Sequence, residues 1–300
     1  MLYNNLSGYF RNKYGKRLKK ICVDGGFSCP NRDGTVGVGG CIFCSERGSG
    51  EHIDSRLGIK EQVERSLSGA KADESFAVYF QNFTNTYAPL DVLSERYDNA
   101  LIDERIKLLI IGTRPDCITE KIAALIASYK ERLDVWVELG LQTASDRTAR
   151  LINRGYESEV FERAMDILSR YGIPVVVHLI VGLPGEGLSE VKKTVEYINR
   201  FPIFGLKIHS LYVVRGTRLF EMYESGEYEP LALDEYIECA VYILTHIPQS
   251  TVIHRLTGDA PKDMLIAPKW SRDKHGVIEK IADFMEKRGL RQGSLFKENG

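Results

Sequence analysis

The chain lacks long apolar runs: no stretch approaches the roughly 20 residues that a membrane-spanning helix needs. Its first residues, beginning Met1-Leu2-Tyr3, also lack the apolar stretch of a secretory signal. The net charge is only −1, so the chain has no strong overall field that would attract nucleic acid. These absences exclude a protein with membrane-spanning helices, and we expect a cytoplasmic protein that does not contact a membrane.

Linkers, low-complexity segments and short repeats are also missing. What the chain contains instead is a regular alternation of short, β-branched apolar runs with amphipathic helical patterns. The apolar runs are nearly continuous, as in strands that are buried on both faces of a parallel sheet. They lie at residues 21–23, 76–80, 108–111, 135–137, 175–181 and 206–209.

These successive β-then-α units predict an α/β fold, either a wound parallel sheet or a barrel. We expect a single domain over residues 1–300, with an N-terminal extension at about 1–17, a core at about 18–247 and a C-terminal extension at about 248–300. In such folds the functional residues lie on the loops that follow the strands. Polar or glycine-rich sequence follows five of the predicted strands, at residues 29–44, 81–86, 112–116, 138–143 and 182–187.

Basic residues are concentrated in one short segment near the N-terminus, at Arg11, Lys13, Lys16, Arg17, Lys19 and Lys20. One interpretation is a solvated surface segment, because runs of charge usually face water. The other is a patch that contacts the phosphates of RNA. The sequence leaves both interpretations open.

Four of the six cysteines lie close together, at Cys22, Cys29, Cys41 and Cys44. Cys41 and Cys44 have the C-x2-C spacing that lets two thiolates bind one metal centre, and a glycine-rich stretch separates them from Cys29. The residues allow three interpretations: buried free thiols, a zinc site with Cys22 as fourth ligand, or an iron–sulfur cluster with three protein ligands and one open iron. Cys117 and Cys239 stand alone, and we interpret both as structural.

The cysteine segment resembles a known family. Gly-Gly-Phe-Ser-Cys-Pro-Asn-Arg-Asp-Gly-Thr at 25–35, followed by Gly-Gly-Cys-Ile-Phe-Cys at 39–44, is similar to the YhcC/YtqA-like radical S-adenosylmethionine (SAM) family, which has an Elp3-like core. That family stretches the usual cysteine motif to C-x11-C-x2-C, as here. The resemblance continues through residues 79–86, 112–117, 138–143, 152–154, 178–186, 216–217 and 253–255.

The resemblance implies a partial (β/α)6 barrel of the TIM type, closed by C-terminal elements. It also implies a [4Fe–4S] cluster held by Cys29, Cys41 and Cys44, with SAM chelating the fourth iron. One electron from a flavodoxin or ferredoxin would then cleave SAM to methionine and a 5′-deoxyadenosyl radical, which abstracts hydrogen from the substrate. The enzyme class implied is a lyase or a nucleobase-modifying enzyme.

Further residues receive roles from the same resemblance. Residues 81, 84 and 85 are expected to hold the methionine end of SAM. Residues 142, 154 and 178 are expected to contact its ribose and carboxylate, and residues 182 and 184 to shape the loop near its adenine. The residues assigned to SAM are Gln81, Thr84, Asn85, Thr113, Arg114, Glu138, Gln142, Arg154, His178, Gly182 and Pro184. Residues late in the chain are expected to contact the substrate: Tyr212, Arg215, Arg218, His254, Arg255, Asp259 and Trp270.

The substrate class also comes from the resemblance. It includes queuine lyase and enzymes of wobble-uridine modification, whose bases share a CH2–NH–R arm from which R is removed. The substrate is therefore expected to be a free base such as queuine or a base in tRNA. Two alternatives stay open: a zinc-stabilised RNA-binding module that uses Cys22, and a non-catalytic iron–sulfur protein.

Overall fold

A computed structural model describes residues 2–48, 53–260 and 263–297 of the protein. Strands and helices alternate along most of this part of the chain. In chain order they are α1 (Leu6–Tyr14), β1 (Leu18–Val23), α2 (Ile59–Leu67), β2 (Ser75–Phe80), α3 (Leu90–Ala100), β3 (Ile106–Thr113), α4 (Glu120–Ser128), β4 (Asp134–Gln142), α5 (Asp146–Leu151), α6 (Ser158–Arg170), β5 (Val175–Val181), α7 (Leu188–Ile198), β6 (Gly205–Ser210), β7 (Val213–Val214), α8 (Arg218–Glu224), α9 (Leu233–His246), β8 (Val252–Arg255), β9 (Leu265–Ala267) and α10 (Lys274–Lys287). Short 3₁₀ turns occur at Pro115–Cys117, Tyr129–Glu131 and Lys269–Arg272.

The main sheet contains seven parallel strands in the order β1-β2-β3-β4-β5-β6-β8, and β7 pairs with β9 in a small antiparallel sheet. The main sheet curls on itself. Lys207 Nζ on β6 lies 3.2 Å from Tyr79 Oη on β2, although in a flat sheet strands four positions apart are roughly 19 Å distant. The strands β1 and β8 form the two edges, so the barrel is partial, as predicted.

Each of the six predicted strands lies within one of β1 to β6, and these predictions are confirmed. The seventh strand, β8, was not predicted, because four residues beside a turn give little periodic signal. It lies in the segment predicted as a C-terminal extension, yet it pairs with β6. The division of the chain into core and extensions stays a prediction.

The helices pack on the outer face of the sheet and form the largest apolar core with it. A second apolar cluster fills the amino end of the barrel, where α1 lies across the opening. There Trp136 of β4 stacks on Phe10 of α1 with ring centres 5.8 Å apart and also contacts Tyr9 and Phe204. The amino end of the barrel is therefore closed by aromatic packing.

Several helices begin at a side chain that accepts a hydrogen bond from the first turn, which satisfies a backbone N–H that the helix itself leaves free. Asn5 caps α1, Thr119 caps α4, Thr217 caps α8 and Asp273 caps α10. In the described ranges, every helix is too short or too polar to cross a bilayer.

Candidate active site

A cleft of about 870 Å³ opens at the carboxyl end of the barrel. The three predicted cluster ligands, Cys29, Cys41 and Cys44, all line it, although up to 15 positions separate them in the sequence. We call this cleft the cysteine pocket. Each of the three cysteines is free of disulfide bonds, and each residue is partly exposed, so the pocket is lined by three residues that could supply sulfur ligands.

The loop that carries the cysteines is held by the segment after α5. Asn31 donates a hydrogen bond to the carbonyl oxygen of Asn153 at 2.6 Å, and Asn153 donates to the carbonyl oxygen of Gly40 at 2.8 Å. The backbone N–H of Ile42 donates to Ile152 at 3.1 Å. The motif at residues 152–154 therefore fixes the position of the cysteine loop.

Arg32 organises the loop from the other side. Its guanidinium donates to the carbonyl oxygens of Cys44, at 3.2 Å, and Ser45, and it lies over the ring of Phe83. Gly40 has a φ of +79° and passes so close that a Cβ there would lie 2.9 Å from the Arg32 Nε atom. A side chain at this position would be both strained and crowded, which explains one glycine of the motif.

The donor set suits a cluster better than a single ion. Among the residues described, no three His, Cys, Asp or Glu side chains lie close enough together to hold one metal ion. Thiolates that bind a [4Fe–4S] cluster attach to different iron atoms, so their sulfurs need not converge. Cys22 does not line the cysteine pocket, because it lies on β1 and packs with the amino-end cluster. This placement argues against a zinc site that uses Cys22.

Burial raises the pKa of the Cys41 thiol to about 12, and the neighbouring Cys44 and Cys29 thiols add to this effect. The thiol is therefore protonated when no metal is bound, and ligation must displace its proton. The charges of Arg114 and Arg154 lower this pKa, and the positive charge of bound iron would favour the thiolate further.

Most residues assigned to SAM also line the cysteine pocket. They are Gln81, Thr84, Thr113, Arg114, Glu138, Gln142, Arg154 and His178. Three of them carry buried polar atoms without a hydrogen-bond partner, namely the Thr84 hydroxyl, the Glu138 Oε1 atom and the Arg154 Nη2 atom. Because an unpartnered buried polar group is costly, a polar ligand such as SAM fits this wall of the pocket.

Arg154 is almost completely buried and is fixed by the backbone. Its Nη1 atom donates to the carbonyl oxygens of Leu141, at 2.5 Å, and Thr143, at 2.7 Å, and its Nε atom donates to Tyr156. The guanidinium also stacks on the Tyr156 ring, 4.4 Å from its centre. The Nη2 atom makes no hydrogen bond to the described residues. The Asp146 carboxylate lies 3.6 Å from it, which is too far for a hydrogen bond.

A buried ionic cluster lies deeper in the barrel. The Glu138 carboxylate accepts hydrogen bonds from Lys207 Nζ at 2.7 Å and from His178 Nε2 at 2.8 Å. Burial would raise the pKa of Glu138, but the Lys207 charge and His178 hold it well below its usual range. Burial lowers the pKa of Lys207 to about 8 and that of His178 to about 4. At neutral pH the cluster is therefore Glu⁻ and Lys⁺ beside a neutral histidine.

Three residues assigned to SAM do not line the cysteine pocket. Asn85 is buried and donates to the carbonyl oxygens of Phe80 and Gly112, so it joins two strand ends. Gly182 accepts a hydrogen bond from Tyr228, and Pro184 follows it in a buried turn. These residues shape the walls around the pocket, and their assignment to SAM stays a prediction.

An adjoining pocket of about 720 Å³ shares Phe43, Cys44, Gly48, Gln142 and His178 with the cysteine pocket. Ile180 and Leu211 give it an apolar part. Of the residues predicted to contact substrate, Tyr212 lines it. The sequence analysis missed Phe43, His209 and Lys207 as lining residues; the aromatic residue inside the C-x2-C motif was the one available signal.

The other residues predicted for the substrate are scattered. His254 and Arg255 lie in a third cavity at the open side of the barrel. The Trp270 indole donates to the Leu231 carbonyl oxygen and packs on Tyr236. Arg215 lies over Phe220, Arg218 begins α8, and Asp259 contacts Lys274. The cavities described do not bring these last four residues together with the cysteines.

A sequence model of the Radical SAM superfamily matches residues 31–198, and one of the Radical SAM C-terminal domain matches residues 203–287. The chain belongs to the radical SAM superfamily. Its members use a [4Fe–4S] cluster and SAM, so the cofactors expected from the resemblance are those of the family.

Similar proteins show which group within the radical SAM superfamily this enzyme resembles. It is 38% identical to the protein YtqA of Bacillus subtilis over 299 residues, which cover 98% of this chain and 93% of that protein. It is 32% identical over 215 residues to the tRNA uridine(34) acetyltransferase of Methanocaldococcus infernus, covering 67% of this chain and 39% of that enzyme. The resemblance to the YhcC/YtqA-like family is therefore confirmed.

A solved structure supports the fold. The chain superposes on the Elp3 protein of Methanocaldococcus infernus that lacks residues 1–46, with a TM-score of 0.69 at 23% identity, covering 92% of this chain and 64% of that one. The partial barrel of this radical SAM enzyme is confirmed by that match.

Proposed function

We propose that this radical SAM enzyme acts on a modified nucleobase, free or in tRNA, and removes the N-substituent of an aminomethyl arm. As a queuine lyase it would leave an aminomethyl-deazaguanine; on wobble uridine it would convert a carboxymethylaminomethyl arm to aminomethyl. The observation that carries the proposal is that Cys29, Cys41 and Cys44 line one pocket with unpartnered polar atoms. The relative named for tRNA uridine 34 supports the substrate class.

In this proposal the three thiolates hold three irons of the cluster, and SAM occupies the rest of the cysteine pocket. The bound cofactors supply a hydrogen-abstracting radical, when one electron from a flavodoxin- or ferredoxin-type donor cleaves SAM to methionine and the 5′-deoxyadenosyl group. Arg154 offers its Nη2 atom, which makes no hydrogen bond and lies 3.6 Å from Asp146, to the SAM carboxylate, and the Thr84 hydroxyl offers a second polar contact. Because the backbone fixes Arg154, the charge needs no rearrangement to bind an anion.

The adjoining pocket is the proposed place of the nucleobase. It meets the cysteine pocket at Gln142 and His178, so a molecule there lies beside whatever the cysteine pocket holds. Its apolar residues and the Tyr212 ring suit a flat heterocycle, while His209 and Lys207 supply polar contacts. Hydrogen abstraction from the R carbon bonded to the amine nitrogen would give 5′-deoxyadenosine and a carbon radical on the substrate. Return of one electron from that radical to the cluster would give an iminium ion, which water would hydrolyse to the aminomethyl base and a carbonyl form of R.

Two further assignments rest on the sequence. We propose that residues 1–300 form a single radical SAM domain, with extensions before about residue 17 and after about residue 248. The cytoplasmic location stays a prediction, which cell fractionation would check.

The proposal is tested by anaerobic reconstitution with iron and sulfide, followed by SAM and dithionite. Mass spectrometry measures 5′-deoxyadenosine with queuine, with tRNA carrying carboxymethylaminomethyl-uridine, and without substrate. We expect one of the two bases to raise the yield several-fold and to lose its N-substituent. Equal yields in all three samples, with both bases intact, would reject the proposed substrate class.

A further inference from the structure

The open side of the partial barrel contains a third cavity, which we call the lateral cleft. It lies between the edge strands β1 and β8, under α1 and α10, and has a volume of about 1190 Å³. Five cationic side chains line it: Arg17, Lys20, Lys207, Arg255 and Lys274. Within the described residues no carboxylate lines this cleft.

Carboxylates nearby balance only part of this charge. Glu138 pairs with Lys207 at 2.7 Å, and Asp259 lies 3.2 Å from Lys274 and 3.9 Å from Arg255. Arg17 and Lys20 have no ion-pair partner within 4 Å among the described residues. The cleft therefore keeps an excess of positive charge although the whole chain has a net charge of −1.

The basic residues of the segment near the N-terminus form two groups, one paired on the outer surface and one lining the lateral cleft. Lys13 pairs with Asp134, Lys19 with Glu74, and Lys16 donates to the Asp73 carbonyl oxygen, so these lysines are used on the outer surface. Only Arg17 and Lys20 of the segment line the lateral cleft. Lys13, Lys16 and Lys19 therefore fit the interpretation of a surface segment, and Arg17 and Lys20 are the residues placed to contact a ligand in the cleft.

A buried histidine points to a missing partner inside the cleft. The His254 side chain is 3% exposed and lines the cleft, yet neither of its ring nitrogens has a hydrogen-bond partner. The nearest carboxylate atom, Glu138 Oε1, is 3.8 Å away and is itself unpartnered. The ring packs on Trp136 and Phe204, and its Nε2 atom lies against the backbone at Gly205, so His254 forms part of the inner wall of the cleft and leaves polar atoms that a ligand would satisfy.

The lateral cleft also communicates with the proposed active site. Lys207 lines both the lateral cleft and the adjoining pocket, and its amine contacts Glu138 and Tyr79 of the cysteine pocket. A group that enters between β1 and β8 therefore reaches the same lysine as a base in the adjoining pocket. The two cavities meet at one side chain.

We propose that the lateral cleft binds an oxyanion of the substrate, a phosphate or a carboxylate, while the base occupies the adjoining pocket. This inference rests on the proposed function and narrows it, because an anionic substrate such as tRNA or a carboxylate-bearing base matches the cleft, whereas queuine carries a basic amine and no acidic group. The exposed Arg17 and Lys20 form the outer part of the site, and the buried Lys207 and His254 form the inner part.

The test measures binding to the reconstituted enzyme with SAM present. The variant is Arg17→Gln with Lys20→Gln, whose two exposed side chains can change without disturbing the core. The matched control, Lys192→Gln with Lys193→Gln, removes the same charge from the exposed face of α7. The probes are a tRNA transcript over a range of salt concentrations, the carboxymethylaminomethyl-uridine nucleoside, and inorganic phosphate.

We expect tRNA to bind the Arg17/Lys20 variant about tenfold more weakly than the control. The salt dependence of binding should also fall, by about 0.7–0.9 in the slope for each phosphate that the variant no longer neutralises. Unchanged tRNA binding with weaker binding of the nucleoside or of phosphate would assign the cleft to a small oxyanion. If all three probes bind the variant and the control equally, the proposal is overturned.

Formation of 5′-deoxyadenosine without substrate separates this inference from the proposed function. We expect the Arg17/Lys20 variant to match the wild type in this reaction, because the cleft lies outside the cysteine pocket. Absence of 5′-deoxyadenosine from the loaded wild-type enzyme would refute the proposed function, whereas the binding measurements would still decide the role of the cleft.

Discussion

The two ends of the barrel are built from the same strands but differ in chemistry. At the amino end, Trp136, Phe10 and Phe204 pack into an aromatic cluster. At the carboxyl end, three thiols line a cleft in which Thr84 and Arg154 keep polar atoms without partners. The aromatic side chains of the amino end complete their packing with one another, apart from the His254 ring at the edge of the cluster, whereas the carboxyl end leaves polar atoms of Thr84 and Arg154 for a ligand. Stability and function are thus separated along the strands.

The first prediction, which has the largest expected effect, tests whether the amino end of the barrel contributes only to stability. Trp136→Ala removes a fully buried aromatic side chain and should lower the free energy of unfolding by about 3–5 kcal/mol. Substrate-free SAM cleavage per folded molecule should stay within about twofold of the wild type. Urea unfolding of the apoprotein and the 5′-deoxyadenosine yield check these two values.

The control for that variant is Tyr223→Ala, which removes an exposed aromatic ring on α8 and should cost no more than about 0.5 kcal/mol. The separation of the two ends would fail if folded Trp136→Ala lost SAM cleavage. It would also fail if its stability matched that of Tyr223→Ala.

The second prediction concerns the unpartnered atom at the carboxyl end. Arg154→Met removes the charge proposed to bind the SAM carboxylate, so SAM should bind about 10- to 100-fold more weakly, since hydrogen bonds to charged groups contribute about 1.5–3 kcal/mol. Equilibrium dialysis of the reconstituted protein measures this affinity. Arg150→Met, which changes an exposed arginine paired with Glu157, is the control and should bind SAM normally.

In the wild type the Arg154 guanidinium also donates hydrogen bonds to three backbone carbonyl oxygens, so its loss could affect folding. Iron content and circular dichroism show whether Arg154→Met still folds. A folded variant with the cluster present and unchanged SAM affinity would mean that the SAM carboxylate binds elsewhere.

The third and smallest prediction concerns three histidines inside the barrel, of which His178 and His209 are partly exposed. Burial lowers the pKa of His178 to about 4 and that of His209 to about 3, and it also lowers the pKa of His254. Between pH 6.5 and pH 4 the unfolded chain takes up protons that the native histidines do not, so the protein loses stability as the pH falls. Each histidine contributes up to about 1.4 kcal/mol per pH unit in this range.

The measurement is urea unfolding of the apoprotein at pH 7.5 and pH 5.0, for the wild type and His178→Gln. The variant should show a smaller loss on acidification, because one of the histidines that resist protonation is gone. Equal losses in the two proteins would show that His178 is not held neutral by its surroundings.

The sequence predicted the repeating architecture and the cysteines well, because both signals are local. Continuous apolar runs identify β1 to β6, and the spacing of Cys41 and Cys44 predicts a shared metal centre. The structure shows how the cysteine loop is held against the barrel. Asn31 and Asn153 are 122 positions apart, yet a hydrogen bond between them fixes the loop.

Contacts across the barrel could not be predicted, since they depend on how far the sheet curls. Lys207 lies 69 positions after Glu138 and appeared only as an interruption of an apolar run. Glu138 was placed at a strand end but lies in the middle of β4. Trp270 is partly buried and packs on Tyr236, and its contact with the substrate stays a prediction.

The most direct test of the account compares Cys41→Ala with Cys22→Ala after anaerobic reconstitution, measuring iron per chain and 5′-deoxyadenosine from SAM. Cys41 lines the cysteine pocket, and Cys22 lies outside it. The account predicts that Cys22→Ala keeps about four irons and normal SAM cleavage, while Cys41→Ala loses SAM cleavage to background. Loss of the metal in Cys22→Ala, or SAM cleavage retained by Cys41→Ala, would contradict the assignment of the cluster to the cysteine pocket.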